Sequence, residues 1–313
     1  LLFVAGCQGG FFRGTDTIQT YDFRKGTDGI AMAFLEGLPS KQMYVGTQFS
    51  TGLKIKNMGA YDIQDRAEIT ISAPPGSFSY EKGDTQEFLL AGRSLYVAEG
   101  EEDVFMFPMR ALCYPGYGGT RESTIVSNHT VKIKADACYY YETTANVDMC
   151  VDTRKHLREA HEMPVCIMQG IGLSGGQGGP VGVVGISPTV VPISDKEMTL
   201  QLSVSIKKLK GKGYNMYGPN AGCKDPKQLN EVEIDVQMGG QRLWCEPYQL
   251  KLIGDQAAST RCTAAIDPLL GAYTTPVSVN IKYYVQQTLV RDVVVQPPPT
   301  GINCAALKGG KTT

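Results

Sequence analysis

The residues able to do chemistry are few, and their spacing argues for cross-linking and anchoring. Nine cysteines stand at Cys7, Cys113, Cys138, Cys150, Cys166, Cys223, Cys245, Cys262 and Cys304. Setting Cys7 apart leaves four in residues 113–166 and four in residues 223–304. That split reads as two disulfides in each half of an exported chain. Local pairing is expected, Cys245 with Cys262 first of all, because the two flank a hairpin-like segment. Cys150 with Cys166 and Cys113 with Cys138 follow, leaving Cys223 for Cys304. Four cysteines allow three connectivities, and spacing alone does not choose among them. Cys150, His156, His161 and Cys166 could instead ligate zinc, with five, four and four residues between them. Structural zinc sites favour tighter pairs, so disulfides are expected here and no metal. The first residues hold the remaining chemistry. Val4-Ala5-Gly6-Cys7 has the form of a lipobox, at which a secreted lipoprotein is cut and its cysteine lipidated. The same stretch, with Leu1, Leu2, Phe3, Val4, Phe11 and Phe12 as its large apolar residues, also reads as a strand that one subunit donates to another. Six residues precede Cys7, fewer than a complete signal peptide, which favours a retained apolar strand.

Catalytic constellations are weak. The string Gly170-Ile171-Gly172-Leu173-Ser174-Gly175 matches GxGxxG, but Pro180 and its neighbouring glycines leave no helix to bind a dinucleotide. Gly309-Gly310-Lys311-Thr312 lacks the leading glycine of a phosphate loop, which would fall at Ala305. His129, His156 and His161 are the three histidines, and none lies in a nucleophile-type turn. Acids such as Glu101, Glu102 and Asp103 read as solvated turns or strand faces. Asn128-His129-Thr130 is a glycosylation sequon, which makes Asn128 a candidate glycan site on an exported surface loop. Tyr139-Tyr140-Tyr141 and Tyr283-Tyr284 could form an aromatic platform. Alternation in a strand instead divides them between core and outer face. No cofactor and no enzymatic activity are expected.

The elements that must position these residues are strands. Among 313 residues, 42% are hydrophobic and 19% charged, as in folded material, and the net charge of −1 gives no pull toward nucleic acid. No stretch reaches the roughly 20 apolar residues of a membrane span. A mixed region over 13–40 holds one short apolar strand at 30–35, and period-two alternation then marks strands at 49–55, 68–72, 86–91, 94–98, 103–109, 123–127 and 130–138. It resumes at 200–206, 231–236, 250–252, 262–266, 277–285 and 289–295. Asn57-Met58-Gly59-Ala60 is a turn. The expected fold is all-β: two tandem immunoglobulin-like β-sandwich domains behind an extended apolar N-terminal segment. The segment covers 1–27, the first domain 28–169, a glycine-rich linker 170–185, the second domain 186–296, and a proline-rich polar tail 297–313.

Three stretches carry a resemblance. Tyr44 through Asn57-Met58-Gly59-Ala60-Tyr61-Asp62-Ile63 resembles the extended strand and Asn-x-Gly turn of adhesion-type immunoglobulin-like domains. Cys138-Tyr139-Tyr140-Tyr141-Glu142-Thr143-Thr144 to Asp152, followed by Gly175-Gly176-Gln177-Gly178-Gly179-Pro180-Val181, is similar to uncharacterised exported surface proteins of small-genome archaea. So are Asn230 to Gly240, Cys245-Glu246-Pro247 and Gly271-Ala272-Tyr273-Thr274-Thr275-Pro276. The resemblance spans most of residues 28–295. It implies a cell-surface protein of two β-sandwich domains, with no catalytic residue to carry over.

The expected function is that of a non-enzymatic extracellular structural protein, a pilus-like filament or surface-layer subunit. Its partner is a copy of itself, joined by the N-terminal strand, and beyond that the cell envelope or other cells. The first alternative is a surface lipoprotein held by lipid on Cys7 and acting as an adhesin or ligand-binding module. The second is a hydrolase of surface polymers, which would need two acids opposed across a cleft.

Overall fold

A computed structural model describes residues 22–65, 67–113, 128–154, 165–194, 196–211 and 213–297. Its strands in the first half are β1 (Ile30–Phe34), β2 (Gln42–Tyr44), β3 (Gln48–Asn57), β4 (Glu68–Ser72), β5 (Phe78–Tyr80), β6 (Thr85–Glu87), β7 (Glu102–Ala111) and β8 (His129–Asp152). Next come β9 (Ile171–Gly172), β10 (Val181–Ser194), β11 (Glu197–Lys208), β12 (Tyr214–Tyr217) and β13 (Glu231–Met238). Last are β14 (Gln241–Arg242), β15 (Trp244–Glu246), β16 (Gln249–Lys251), β17 (Ala258–Ile266) and β18 (Ala272–Gln296). No α-helix occurs among the described residues.

Two strands organise the rest. β8 has 24 residues and β18 has 25, against the three to ten usual for a strand. They pair antiparallel without a register shift, from Ala272 opposite Asp152 to Val295 opposite His129. At about 3.3 Å per residue the ladder is roughly 80 Å long. Its sequence explains its length. Val131, Ile133, Ala135, Ala137, Tyr139, Tyr141, Thr143, Ala145, Met149 and Val151 alternate with more polar residues, and all ten are buried. No proline or glycine interrupts β8. In β18, Val277, Val279, Ile281, Tyr283 and Val285 continue the same buried face.

Smaller sheets pack on that ladder. The nine-stranded sheet runs β14-β13-β18-β8-β4-β6, with β12 and β2 also on β18 and β16 on β13. β2 is the parallel partner, Gln42–Tyr44 beside Val294–Gln296. A four-stranded sheet, β1-β3-β7-β5, and a five-stranded sheet, β15-β17-β11-β10-β9, complete the fold. One continuous core joins all three, from Ile30 and Phe107 through Tyr139 and Ile281 to Leu202 and Cys262.

The all-β expectation holds, and several finer readings need correction. The chain is not two sheet systems separated at 170–185. β8 from the first half and β18 from the second form one ladder, because the two strands, one on each side of the expected linker, pair with each other from Asp152–Ala272 to His129–Val295. The glycine-rich stretch is packed structure. It contains β9 and leads into β10. A Cβ on Gly179 would strike Thr143 and the Tyr141 ring, and one on Gly59 would strike the Tyr141 hydroxyl. These glycines permit close approach to bulky spine residues. Residues 277–285 and 289–295 are one strand, since polar Gln286, Gln287 and Thr288 stay in register with Cys138, Ala137 and Asp136. Residues 94–98 are not a strand: Ser94 Oγ accepts from the Tyr96 and Val97 amides and turns the chain. In the expected stretch 86–91 only Gln86 and Glu87 lie in a strand, and Leu90 adds a bridge to Ile63. The stretch 123–127 lies outside the described residues.

Asn57 closes the Asn-x-Gly turn as its spelling implies. Its Oδ1 accepts from the Gly59 amide at 3.1 Å, and its Nδ2 donates to the carbonyls of Tyr61 and Leu90. The side chain is fully buried, so all three bonds replace water. Asn57→Ala should lower stability by about 1–3 kcal/mol, the penalty of orphaning buried polar groups. Chemical denaturation monitored by circular dichroism checks this; an unchanged midpoint would show that the turn is held by something else.

Candidate functional site

The described residues concentrate their polar chemistry along the spine. At its waist, tyrosine hydroxyls tie loops from both halves to β8 and β18. Tyr141 Oη donates to the Gly178 carbonyl at 2.7 Å and accepts from the Tyr61 amide at 3.3 Å. Tyr139 Oη accepts from the Ile30 amide, and Tyr214 Oη donates to the Ile30 carbonyl. Tyr283 and Thr143 share a 2.6 Å hydroxyl bond. The rings meet edge-on or tilted, Tyr139 with Tyr141 at 5.9 Å and Tyr141 with Tyr283 at 6.1 Å. The alternation expected of the tyrosines is met in the first run, where Tyr139 and Tyr141 are fully buried and Tyr140 is partly exposed, but not in the second, where Tyr283 and Tyr284 are both buried. Tyr140 packs on Tyr61 and Tyr284 and donates to Glu142 at 2.6 Å. An ion pair, Lys210 to Asp28 at 2.7 Å, also bridges the halves.

Burial sets the titration of this cluster. It raises the phenol of Tyr139, of Tyr141 and of Tyr283 well above the ordinary range. Burial, with the Glu142 carboxylate nearby, pushes Tyr61 up to about 12. Burial, with Asp28 nearby, brings Tyr214 to about 12. A phenol held neutral this firmly is a packing group and hydrogen-bond donor, not a base near neutral pH.

Three disulfides lie among the described residues. Cys245 joins Cys262 at directly opposed positions of β15 and β17, and Cys150 joins Cys166, both as expected. Cys138 joins Cys223, which corrects two expected pairs, Cys113 with Cys138 and Cys223 with Cys304. The reason is the shared ladder. It sets Cys138 opposite Gln286, in the region of β18 that also pairs with β12, and Cys223 follows β12. Cys113 is also disulfide-bonded. Cys7 and Cys304 lie outside the described residues. The Cys150–Cys166 bond leaves no thiolate there for a metal, and His156 and His161 lie outside the described residues. Three disulfides are those of a chain that matures in an oxidising compartment outside the cytosol. No helix among the described residues is long and apolar enough to cross a membrane.

The remaining candidates fall as follows. Asn128 is exposed just before β8, open to a glycan. Leu1, Leu2, Phe3, Val4, Phe11 and Phe12 lie outside the described residues. Glu101 accepts from the Ala91 amide and Glu102 pairs with Lys54, so these acids serve the turn and strand they were assigned to. The sequence reading missed the Cys138–Cys223 clamp and the tyrosine waist. The signal for both was the uninterrupted alternation from His129 to Asp152.

No family model matches the chain, and no curated protein matches it. Among solved structures, it is similar to Escherichia coli α2-macroglobulin activated by porcine elastase, at 11% identity and a TM-score of 0.18, over 86% of this chain and 33% of that one. The chain thus spans about a third of that protein's length. A conserved protein of unknown function from Pseudomonas aeruginosa PAO1 aligns at 7% identity and a TM-score of 0.11, over 83% of this chain and 97% of that one. Likeness at this level carries no functional argument.

The waist makes a pH prediction. The folded phenols titrate above the unfolded value near 10, so their contribution is fully present below pH 10 and is lost as pH rises toward the folded values. Stability should be flat in this respect from pH 7 to 9 and fall steeply above pH 10. Ultraviolet titration near 295 nm should show the buried tyrosines ionising together with unfolding; smooth ionisation near pH 10 in the folded protein would contradict the buried waist.

Proposed function

We propose that this chain is a non-enzymatic structural subunit of an extracellular filament or surface layer, assembled by donation of its N-terminal apolar segment. The observation that carries this reading is the spine. A ladder of roughly 80 Å runs through both halves of the chain and is clamped by Cys138–Cys223 and Cys150–Cys166. A long antiparallel ladder pulled along its strands must shear many hydrogen bonds at once, which suits a protein that transmits force. Around it, the two halves are read as immunoglobulin-like sandwiches sharing one sheet, the adhesion-type architecture that the sequence resembles. The apolar run Leu1 to Phe12, uncharged throughout, supplies a strand for a neighbour. Donation of this kind is head-to-tail, does not close, and so builds a fibre on the cell surface.

Lipidation of Cys7 is the competing reading, and the two separate cleanly. Deleting residues 1–12 should leave folded, disulfide-bonded monomers that no longer polymerise, scored by electron microscopy and sedimentation. Long filaments from the truncated chain would remove strand donation from the account. Mass spectrometry of native material adds the second arm: a diacylglyceryl adduct on an N-terminal Cys7 would establish the anchor instead.

A further inference from the structure

β8 has two sides, and only the one that faces β18 is paired along its whole length. Thr153 donates its amide to the Gly271 carbonyl at 3.2 Å, one step beyond the Asp152–Ala272 pair. The register does not shift, so odd-numbered residues of β8 turn their N–H and C=O groups toward β18. Even-numbered residues turn theirs to the other side. There β4 takes Lys134, Asp136 and Cys138, opposite Ser72, Thr70 and Glu68. Beyond Cys138, no backbone partner among the described residues takes Tyr140, Glu142, Thr144, Asn146, Asp148 or Cys150. This leaves an open edge of roughly 33 Å.

Open edges are usually blunted by proline, by inward charge or by short length. β10 follows that rule, with Pro188 and Pro192 in its outer stretch and β9 over Gly185 and Ile186. Between Tyr140 and Cys150, β8 has no proline and no covering strand among the described residues; its two charges are Glu142, which accepts from Tyr140, and Asp148, which is exposed. Apolar surface adjoins the far end of this edge. Cys166, bonded to Cys150, is flanked by Val165 at 82% and Ile167 at 73% exposure. An edge that is unpaired, free of proline and bordered by exposed aliphatic residues is a template for one more strand.

We infer that this edge, Tyr140 to Cys150, is the acceptor for residues Leu1–Phe12 of a second copy of the chain. The inference rests on the strand-donation reading and names its other half. Twelve extended residues reach about 40 Å, enough to cover the edge. The donor bears no charge, so no unpaired ion is brought against the core, and its leucines, valine and phenylalanines bury Val165 and Ile167. The added strand completes the nine-stranded sheet beside β4, and each copy offers one donor and one acceptor.

Hydrogen exchange on the full chain tests this directly. In dilute monomer the amides of Glu142, Thr144, Asn146 and Asp148 should exchange fast, and in the assembly they should slow on the order of 100-fold or more. The Asp136 amide, already paired with β4, should not change between the two states. Asn146→Pro and Asp148→Pro remove edge donors while leaving every bond to β18, and both side chains are exposed. Each should stop elongation of a protein with native circular dichroism and disulfides. If a variant does not fold, exchange in the unaltered chain still decides. Filaments that form with this edge unprotected, while deletion of 1–12 still abolishes them, would overturn the acceptor and leave strand donation standing. Filaments that survive that deletion would overturn both. Protection already complete in dilute monomer would mean that the chain's own segment fills the edge, and would overturn the second copy.

Discussion

The pairing of β8 with β18 is the constraint on which the rest of this structure depends. Twenty-four residue pairs in one register hold segments more than a hundred positions apart in sequence. Both smaller sheets find their buried face on this ladder. Ile30 and Phe107 of one smaller sheet and Val181 and Leu202 of the other belong to the same core cluster as the ladder's buried face. The alternation of β8 must therefore continue across the middle of the molecule. A single register slip would turn every buried side chain to the wrong face.

The middle is where that demand is hardest to meet, and the tyrosines meet it. Where the two flanking sheets come together on the ladder, loops around Ile30, Tyr61 and Gly178 bring backbone polar groups into the interior. Tyr139, Tyr141 and Tyr214 extend from the strands with an apolar body and a polar tip, and satisfy those groups. Glycines in the loops allow the rings to approach. The glycine-rich stretch is thus a packing device matched to large aromatic partners, although glycine-rich composition ordinarily signals a flexible tether.

That distinction shows what could be read from residues alone. β4 is legible to the residue, since Glu68-Ile69-Thr70-Ile71-Ser72 alternates and Pro74-Pro75-Gly76 ends it. The turn at Asn57 is legible because its chemistry is local. The pairs Cys245–Cys262 and Cys150–Cys166 are legible because each is close in sequence. Cys138–Cys223 is not, because it depends on a pairing set by β18, far along the chain. The packing of 170–185 is not legible for the same reason: composition reports backbone freedom, and only tertiary contact reports whether that freedom is used. The polar gap Gln286–Thr288 splits β18 in the sequence, yet Thr288 finds Asp136 at 2.6 Å and the strand runs on. Of the proposed assembly site, the donor is visible in composition and the acceptor only in topology.

The structure is a stiff, covalently clamped ladder with an open β8 edge among its described residues. In the proposed assembly, the apolar segment Leu1–Phe12 of a second copy completes that edge. Cryo-electron microscopy of the native cell surface tests this most directly. The account predicts filaments in which one ladder runs unbroken through every subunit, with an extra strand from the adjacent subunit beside β8. Isolated particles tethered at the membrane, or two lobes joined by a free linker, would contradict it.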